Sequence, residues 1–109
     1  MTHAEAFRAA ALQEIETRIA RFRTLTYDES LALPEADFSD IVITAREVQV
    51  TVFRQIAPPS LPDQILLTVQ IARHSMGGVV AFRLERGLVY SRNAPPRDAT
   101  EQELRDSGG

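Results

Sequence analysis

The chain has 109 residues, of which 44% are apolar and 25% are charged, and this composition is typical of a globular domain. It contains no cysteine, which excludes disulfide bonds, thiolate nucleophiles and cysteine-ligated zinc sites. The net charge of −3 at pH 7 argues against nucleic acid as a partner.

The same features predict a cytoplasmic protein with no membrane partner. No apolar run in the sequence approaches the ~20 residues that span a bilayer. The first residues lack the basic and apolar regions of a secretory signal peptide. We expect a single domain over residues 1–109, with an ordered core over residues 3–92 and a tail over 93–109 that is open to fraying.

The first predicted element is an amphipathic helix over residues 3–24. Thr2 and Glu5 have the spacing of a capping box, which satisfies free N–H groups at a helix start. Apolar side chains then recur at three- and four-residue steps, which places them on one helix face. They are Phe7, Ala11, Ile15, Ile19 and Phe22.

A short second helical turn is predicted over residues 26–33. Thr26 and Glu29 repeat the capping spacing, and Pro34 ends the turn because proline cannot continue a helix. The polar segment after Pro34, up to Asp40, is predicted to be a loop.

From residue 41 the apolar residues recur at period two, which is typical of strands. Residues 41–56 form either a hairpin or one long strand. We favour the hairpin, with its turn at residues 45–47, although this segment lacks the glycine or asparagine that tight turns prefer. Two more strands are predicted over residues 64–74 and 79–85, with a loop at 76–78 between them.

The end of the chain is predicted from its glycines and prolines. Gly87 is expected to turn the chain into a short fifth strand over residues 88–91, which Pro95–Pro96 stops. The capping spacing over residues 100–103 predicts one last helical turn, and residues 107–109 should fray.

Short connections favour antiparallel neighbours, so the predicted fold class is α+β. An N-terminal amphipathic helix packs on one face of a four- to five-stranded antiparallel meander sheet, and a short C-terminal helical turn comes last. The sheet face that meets the helix is predicted to carry Val48, Val50, Val52, Ile65, Leu67, Val69, Ile71, Val80, Phe82 and Leu84. Exposure of Val50 and Val69 to water would mean an inverted register.

A helix followed by an antiparallel meander resembles the cystatin-like architecture. Members of that family inhibit cysteine proteases with a Gln-x-Val-x-Gly hairpin. The nearest segment here, Gln49–Phe53, lacks the glycine and lies within a predicted strand. The resemblance is therefore one of element order and implies no inhibitory role.

The sheet face away from the helix mixes apolar and polar residues. It is either a solvent face with scattered apolar residues or a protein interface, and these two interpretations are balanced. The candidate interface residues are Phe53, Leu66, Thr68, Gln70 and Arg83. They suggest a non-enzymatic interaction module that binds a protein partner or, as a homodimer, a second copy of itself.

The alternative is a small-ligand-binding or enzymatic domain with a pocket between the helix and the sheet. The candidate polar residues for such a pocket are Arg73, His74, Tyr27 and Tyr90. His74 and Ser75 are not expected to form a nucleophile–base pair unless the chain turns there, since neighbouring strand residues point to opposite faces. We expect no catalytic residue, no cofactor and no metal, because the sequence has no ligand cluster at metal-binding spacing.

Charges are unevenly spread along the predicted strands. Residues 28–63 hold seven acidic residues against two arginines, whereas residues 64–92 hold four arginines against one glutamate. One half of the sheet is therefore acidic and the other basic, unless these charges pair across neighbouring strands.

Overall fold

A 20-residue helix, α1 (His3–Phe22), packs on a five-stranded antiparallel sheet in the computed structural model, which describes residues 2–75 and 77–106. The strands follow one another in the sheet in chain order, so the predicted α+β meander is confirmed. They are β1 (Ala36–Ile43), β2 (Arg46–Ile56), β3 (Ile65–His74), β4 (Val80–Ser91) and β5 (Ala94–Asp98). Met76, from the predicted loop, and residues 107–109, predicted to fray, lie outside the described residues.

Two short helices complete the described chain. The helix α2 (Tyr27–Leu31) begins with a full capping box, in which Thr26 and Glu29 each bond the backbone N–H of the other. The helix α3 (Glu101–Asp106) follows β5. Both lie where the capping spacing predicts them.

The helix α1 forms for local and tertiary reasons. The Thr2 hydroxyl accepts a hydrogen bond from the Glu5 N–H at 3.1 Å and so caps the first turn. Its apolar face lies against the sheet, and the side chains fully or almost fully buried there are Phe7, Ala11, Ile15 and Ile19. Burial of each large side chain contributes about 1.5–3 kcal/mol, which exceeds what capping alone provides.

The sheet face that contacts α1, here called the inner face, has the predicted register. Val50 and Val69 are 1% and 0% exposed and lie in the core with the helix residues. Val80 is the exception among the residues assigned to this face. His74 pairs with Val80 and Arg73 pairs with Phe82, so Ala81 is an extra residue, and Val80 is 51% exposed.

The β1–β2 hairpin is present, but β1 is longer than predicted. It begins at Ala36, so the segment expected to be a polar loop is half of a strand. The turn consists of Thr44 and Ala45, with φ angles of 46° and 65°, between the paired residues Ile43 and Arg46. Two successive positive φ angles define a type I′ turn, the geometry that matches the twist of the two strands.

Gly87 does not turn the chain, which corrects the prediction of a fifth strand over residues 88–91. Those residues are the second half of β4, and Gly87 pairs with Thr68 within it. A Cβ at Gly87 would lie 2.8 Å from the Leu104 Cδ2 atom and 2.9 Å from the Leu67 carbonyl oxygen. This glycine is therefore needed for close packing rather than for a turn.

The segment Pro95–Pro96 does not stop a strand; it lies inside the edge strand β5. Ser91 pairs with Ala94 and Val89 pairs with Arg97, so an irregularity falls at the two prolines. An edge strand tolerates proline because one side of its backbone has no neighbour to bond. Residues 94–106, expected to form a tail with one helical turn, thus contain both β5 and α3.

Candidate functional site

The sheet face opposite α1, here called the outer face, divides into a covered half and an open half. The covered half holds a second, smaller core made by Leu61, Leu66, Val89 and Leu104, with Ala99 packed against it. The loop between β2 and β3 and the helix α3 supply the covering side chains, Leu61 and Leu104.

Leu66 therefore cannot serve as an interface residue, which corrects the sequence-based expectation. Its side chain is 0% exposed beneath this second core. The sequence pattern placed Leu66 on the correct face of the sheet. It did not reveal that Leu104, the one large apolar residue of the last helix, folds back over that face.

The open half of the outer face forms a groove of about 370 Å³, here called the outer groove. Four of the five candidate interface residues line it, namely Phe53, Thr68, Gln70 and Arg83. The other lining residues are Phe38, Gln49, Thr51, Ala72, His74, Val80 and Glu85. His74, which was assigned to a pocket beneath the helix, thus lies on the opposite side of the sheet.

An exposed aromatic pair forms one wall of the outer groove. Phe38 of β1 and Phe53 of β2 meet edge to face, with ring centroids 6.1 Å apart and planes at 88°. Phe38 is 60% exposed and Phe53 is 37% exposed, so both rings retain apolar surface in water. Sequence analysis missed Phe38, although a lone phenylalanine within a polar segment is itself a signal of an unburied contact residue.

The floor and the far wall of the outer groove are polar. Thr51 and Thr68 are 4% and 6% exposed between their larger neighbours. On the far side, the Arg83 guanidinium contacts the Glu85 carboxylate at 3.2 Å and lies beside the Gln70 side-chain amide. The groove therefore has one aromatic wall and one charged wall.

The strand β1 is an open edge of the sheet, next to the aromatic wall. The Arg54 N–H donates to the Glu35 carbonyl at 2.9 Å, just before β1 begins. Backbone groups along an antiparallel strand point alternately toward and away from the neighbouring strand. Continuing that alternation along β1, the N–H and C=O groups of Phe38, Asp40 and Val42 point away from β2, where no described strand lies.

The four candidate pocket residues do not converge on one site. His74 lines the outer groove, and Arg73 lines a cleft at the N-terminal end of α1. Tyr27 and Tyr90 line a third depression near the C-terminal end of α1.

Tyr90 has a structural role at that end. Its side chain is 1% exposed and its hydroxyl donates to the Phe22 carbonyl at 2.6 Å, which ties β4 to the last residue of α1. Burial raises the pKa of Tyr90 to about 12, so this hydroxyl is a donor at neutral pH and is not poised as a base.

His74 lies at the end of β3, and Ser75 follows it in the loop. His74 is exposed, and the Ser75 hydroxyl donates to the Val79 carbonyl at 3.1 Å within its own loop. Across residues 2–75 and 77–106, no group of three histidine, aspartate or glutamate side chains is placed to hold a metal ion. No helix in those ranges has the length and hydrophobicity that crossing a membrane requires.

In comparisons with known proteins, the chain matches no family model, no curated protein and no solved structure.

Proposed function

We propose that the protein is a non-enzymatic interaction module that binds an extended segment of another protein along β1 and the outer groove. The observation that carries the proposal is Phe38, a largely exposed ring on an edge strand that is paired on one side only, and this ring packs edge to face on Phe53. The absence of cysteine supports a cytoplasmic setting for this module.

The apolar contribution to binding comes from the aromatic wall. A partner side chain laid against Phe38 and Phe53 removes apolar surface from water without displacing any hydrogen bond of these rings. Aromatic contacts of this kind contribute about 0.5–1.5 kcal/mol beyond the area that they bury. The buried floor residues Thr51 and Thr68 need not move, so the site is already formed before binding.

The backbone contribution comes from the edge of β1. An extended peptide can add to an exposed edge as a further strand, with main-chain hydrogen bonds providing affinity and alternate side chains providing specificity. In β1 the residues whose backbone groups point outward, such as Phe38 and Val42, also carry their side chains on the outer face. An added strand therefore places alternate side chains beside this apolar surface.

The acidic residues in and beside β1 indicate the charge of the partner. Glu35, Asp37 and Asp40 lie in or just before β1, and no basic residue lies within Ala36–Ile43. Antiparallel pairing of β1 with β1 of a second copy would bring these carboxylates together, which is repulsive. We therefore infer a basic segment with alternating apolar residues, rather than a second copy of this chain, as the occupant.

The proposal is tested with a short synthetic peptide of alternating valine and lysine, with binding followed by fluorescence anisotropy. The wild-type chain should bind it, and Phe38→Ala or Phe53→Ala should weaken binding about tenfold, the equivalent of ~1.4 kcal/mol. Leu12→Ala is the matched control, because Leu12 is a similarly exposed apolar residue (41%) on α1, on the other side of the sheet. Asp37→Asn with Asp40→Asn should weaken binding and reduce its salt dependence.

Three results would overturn the proposal. Equal losses in Phe38→Ala and Leu12→Ala would remove the outer groove as the binding surface. Equal binding of a valine–glutamate peptide would remove the charge argument. Light scattering provides an independent check: a wild-type dimer that Phe38→Ala converts to a monomer would identify a second copy as the occupant.

A further inference from the structure

A second recess lies at the N-terminal end of α1, on the inner side of the sheet. It is a cleft of about 280 Å³ between the first turns of α1 and the ends of β2, β3 and β4. The lining residues are Ala4, Glu5, Phe7, Arg8, Arg46, Arg73, Ala81 and Phe82. The cleft shares no lining residue with the outer groove, so ligand binding in the cleft is independent of the proposed function.

Three arginines, Arg8, Arg46 and Arg73, line this cleft. Within the described part of the chain, none of the three forms an ion pair or a side-chain hydrogen bond. Five other arginines are paired with carboxylates, namely Arg18, Arg23, Arg83, Arg86 and Arg97. The arginines of the cleft thus retain N–H donors that an incoming anion could use.

Aromatic rings hold one of these guanidinium groups in position. The Arg46 Cζ atom lies 5.8 Å from the centroid of the Phe7 ring. Phe7 is itself fixed, since it is 4% exposed and packs edge to face on Phe82 with centroids 5.0 Å apart. A cation–π contact positions a guanidinium without using its N–H donors, unlike a salt bridge.

The electrostatics of the cleft favour an anion. It has three arginines against a single carboxylate, that of Glu5, although the whole chain carries a net charge of −3. The N-terminal end of α1 lies beside it and adds the positive end of a 20-residue helix dipole. Arg73, which follows the buried Ala72 on β3, lies in this cleft between the start of the helix and the sheet.

We infer that this cleft binds a small organic phosphate. The phosphate oxygens are held by Arg46 and Arg73, whose planar guanidinium groups match the geometry of an oxyanion. The apolar body of the ligand lies against Phe82 and Ala81, which line the same cleft. The volume of about 280 Å³ is near the lower end of ordinary ligand sites, which suits a phosphate attached to one small ring.

The test uses phenyl phosphate, inorganic phosphate and phenol as probes, each titrated into the full chain and followed by amide chemical shifts. Phenyl phosphate should bind about tenfold more tightly than inorganic phosphate, because the ring adds apolar burial. Arg46→Gln and Arg73→Gln should each weaken phenyl phosphate binding about tenfold, since each removes charge-assisted hydrogen bonds.

Arg21→Gln is the matched control, because Arg21 is exposed in the last turn of α1, at the far end of the helix from the cleft. It should bind phenyl phosphate like the wild type, and thermal unfolding checks that all three variants are folded. Equal binding by Arg21→Gln and Arg46→Gln would overturn the inference and identify an adventitious ion only. Binding of phenol as tight as that of phenyl phosphate would overturn it as well.

Discussion

Gly87 of β4 lies directly beneath Leu104 of α3, so close that a Cβ on Gly87 would come within 2.8 Å of the leucine Cδ2 atom. The Gly87 carbonyl also accepts a hydrogen bond from the Ala99 N–H at 2.8 Å. These two contacts dock the segment after β5 onto the outer face. They explain why half of that face is a second core while the other half remains an open groove.

Gly87→Ala should therefore destabilise the fold by about 1–3 kcal/mol, the usual cost of overpacking. The added methyl group meets the backbone oxygen of Leu67 at 2.9 Å as well as Leu104, so side-chain movement alone does not relieve it. Urea denaturation measures the change. A double variant with Leu104→Ala should recover part of the loss, and strict additivity of the two changes would argue against the contact.

The β1–β2 turn is less stable than its geometry allows. Thr44 and Ala45 both have positive φ, which side chains other than glycine and asparagine adopt at a cost of about 1–2 kcal/mol. Thr44→Asn with Ala45→Gly should raise the free energy of unfolding by about 1–2 kcal/mol. Ala9→Gly, at an exposed position within α1, should instead lower the free energy of unfolding. A loss of stability in the turn variant as well as in Ala9→Gly would contradict the turn assignment.

Tyr90→Phe should lower the free energy of unfolding by about 1–2 kcal/mol, because the Phe22 carbonyl loses its hydroxyl donor. The loss also has a pH signature. The folded Tyr90 titrates with a pKa of about 12 and the ordinary value is 10.0, so the unfolded chain binds fewer protons between these values. The tyrosine's contribution is present below pH 10.0 and is lost as pH rises toward about 12.

Denaturation at several alkaline pH values measures this effect, and absorbance of tyrosinate follows the titration directly. Tyr27→Phe, which removes the hydroxyl of the other tyrosine in the chain, serves as the control. Alkaline destabilisation that persists unchanged in Tyr90→Phe would show that another group is responsible.

Glu103 should stabilise the C-terminal helix in a pH-dependent way. Hydrogen bonds from Arg97, at 2.9 and 2.8 Å, lower the pKa of Glu103 to about 2 from 4.5. Because its pKa is lower in the folded state, the ionised Glu103 carboxylate stabilises the fold above pH 4.5, and this contribution is lost as pH falls toward about 2. Glu103→Gln should lower the free energy of unfolding by about 1 kcal/mol near neutral pH and leave it unchanged at low pH. The effect is small because Arg97 is half exposed.

Urea denaturation across the acid range tests this expectation. Glu101→Gln, on the same helix and exposed, is the matched control and should differ little from the wild type at any pH. A deficit in Glu103→Gln that persists undiminished at low pH would assign the effect to packing rather than to charge.

The helix and the inner face of the sheet could be predicted because their apolar residues follow strict periods. Ile15 and Ile19 repeat at helical spacing, and Val50 and Val69 alternate with polar neighbours; all four are buried. In these segments burial on one side requires apolar residues at the period of the helix or strand, so the sequence pattern indicates the structure directly. Local sequence was therefore sufficient for the fold class.

The missed elements lack such a pattern for physical reasons. Residues 36–40 are exposed on both faces of an edge strand, so they show no alternation. Gly87 signals a turn when read alone, and only the position of Leu104 reveals its packing role. The same distant contact buries Leu66 and removes it from the predicted interface, whereas Phe53, whose surroundings are local, lies where it was placed.

The two edges of the sheet are chemically unequal, and this limits how the protein can assemble. The edge strand β5 has only five residues, and the two prolines within it carry no N–H. A chain that joined its neighbours through both edges would grow into an endless filament. Because of these prolines, the β5 edge offers an incoming strand fewer N–H donors than the β1 edge does, and open-ended growth through both edges of the sheet is disfavoured.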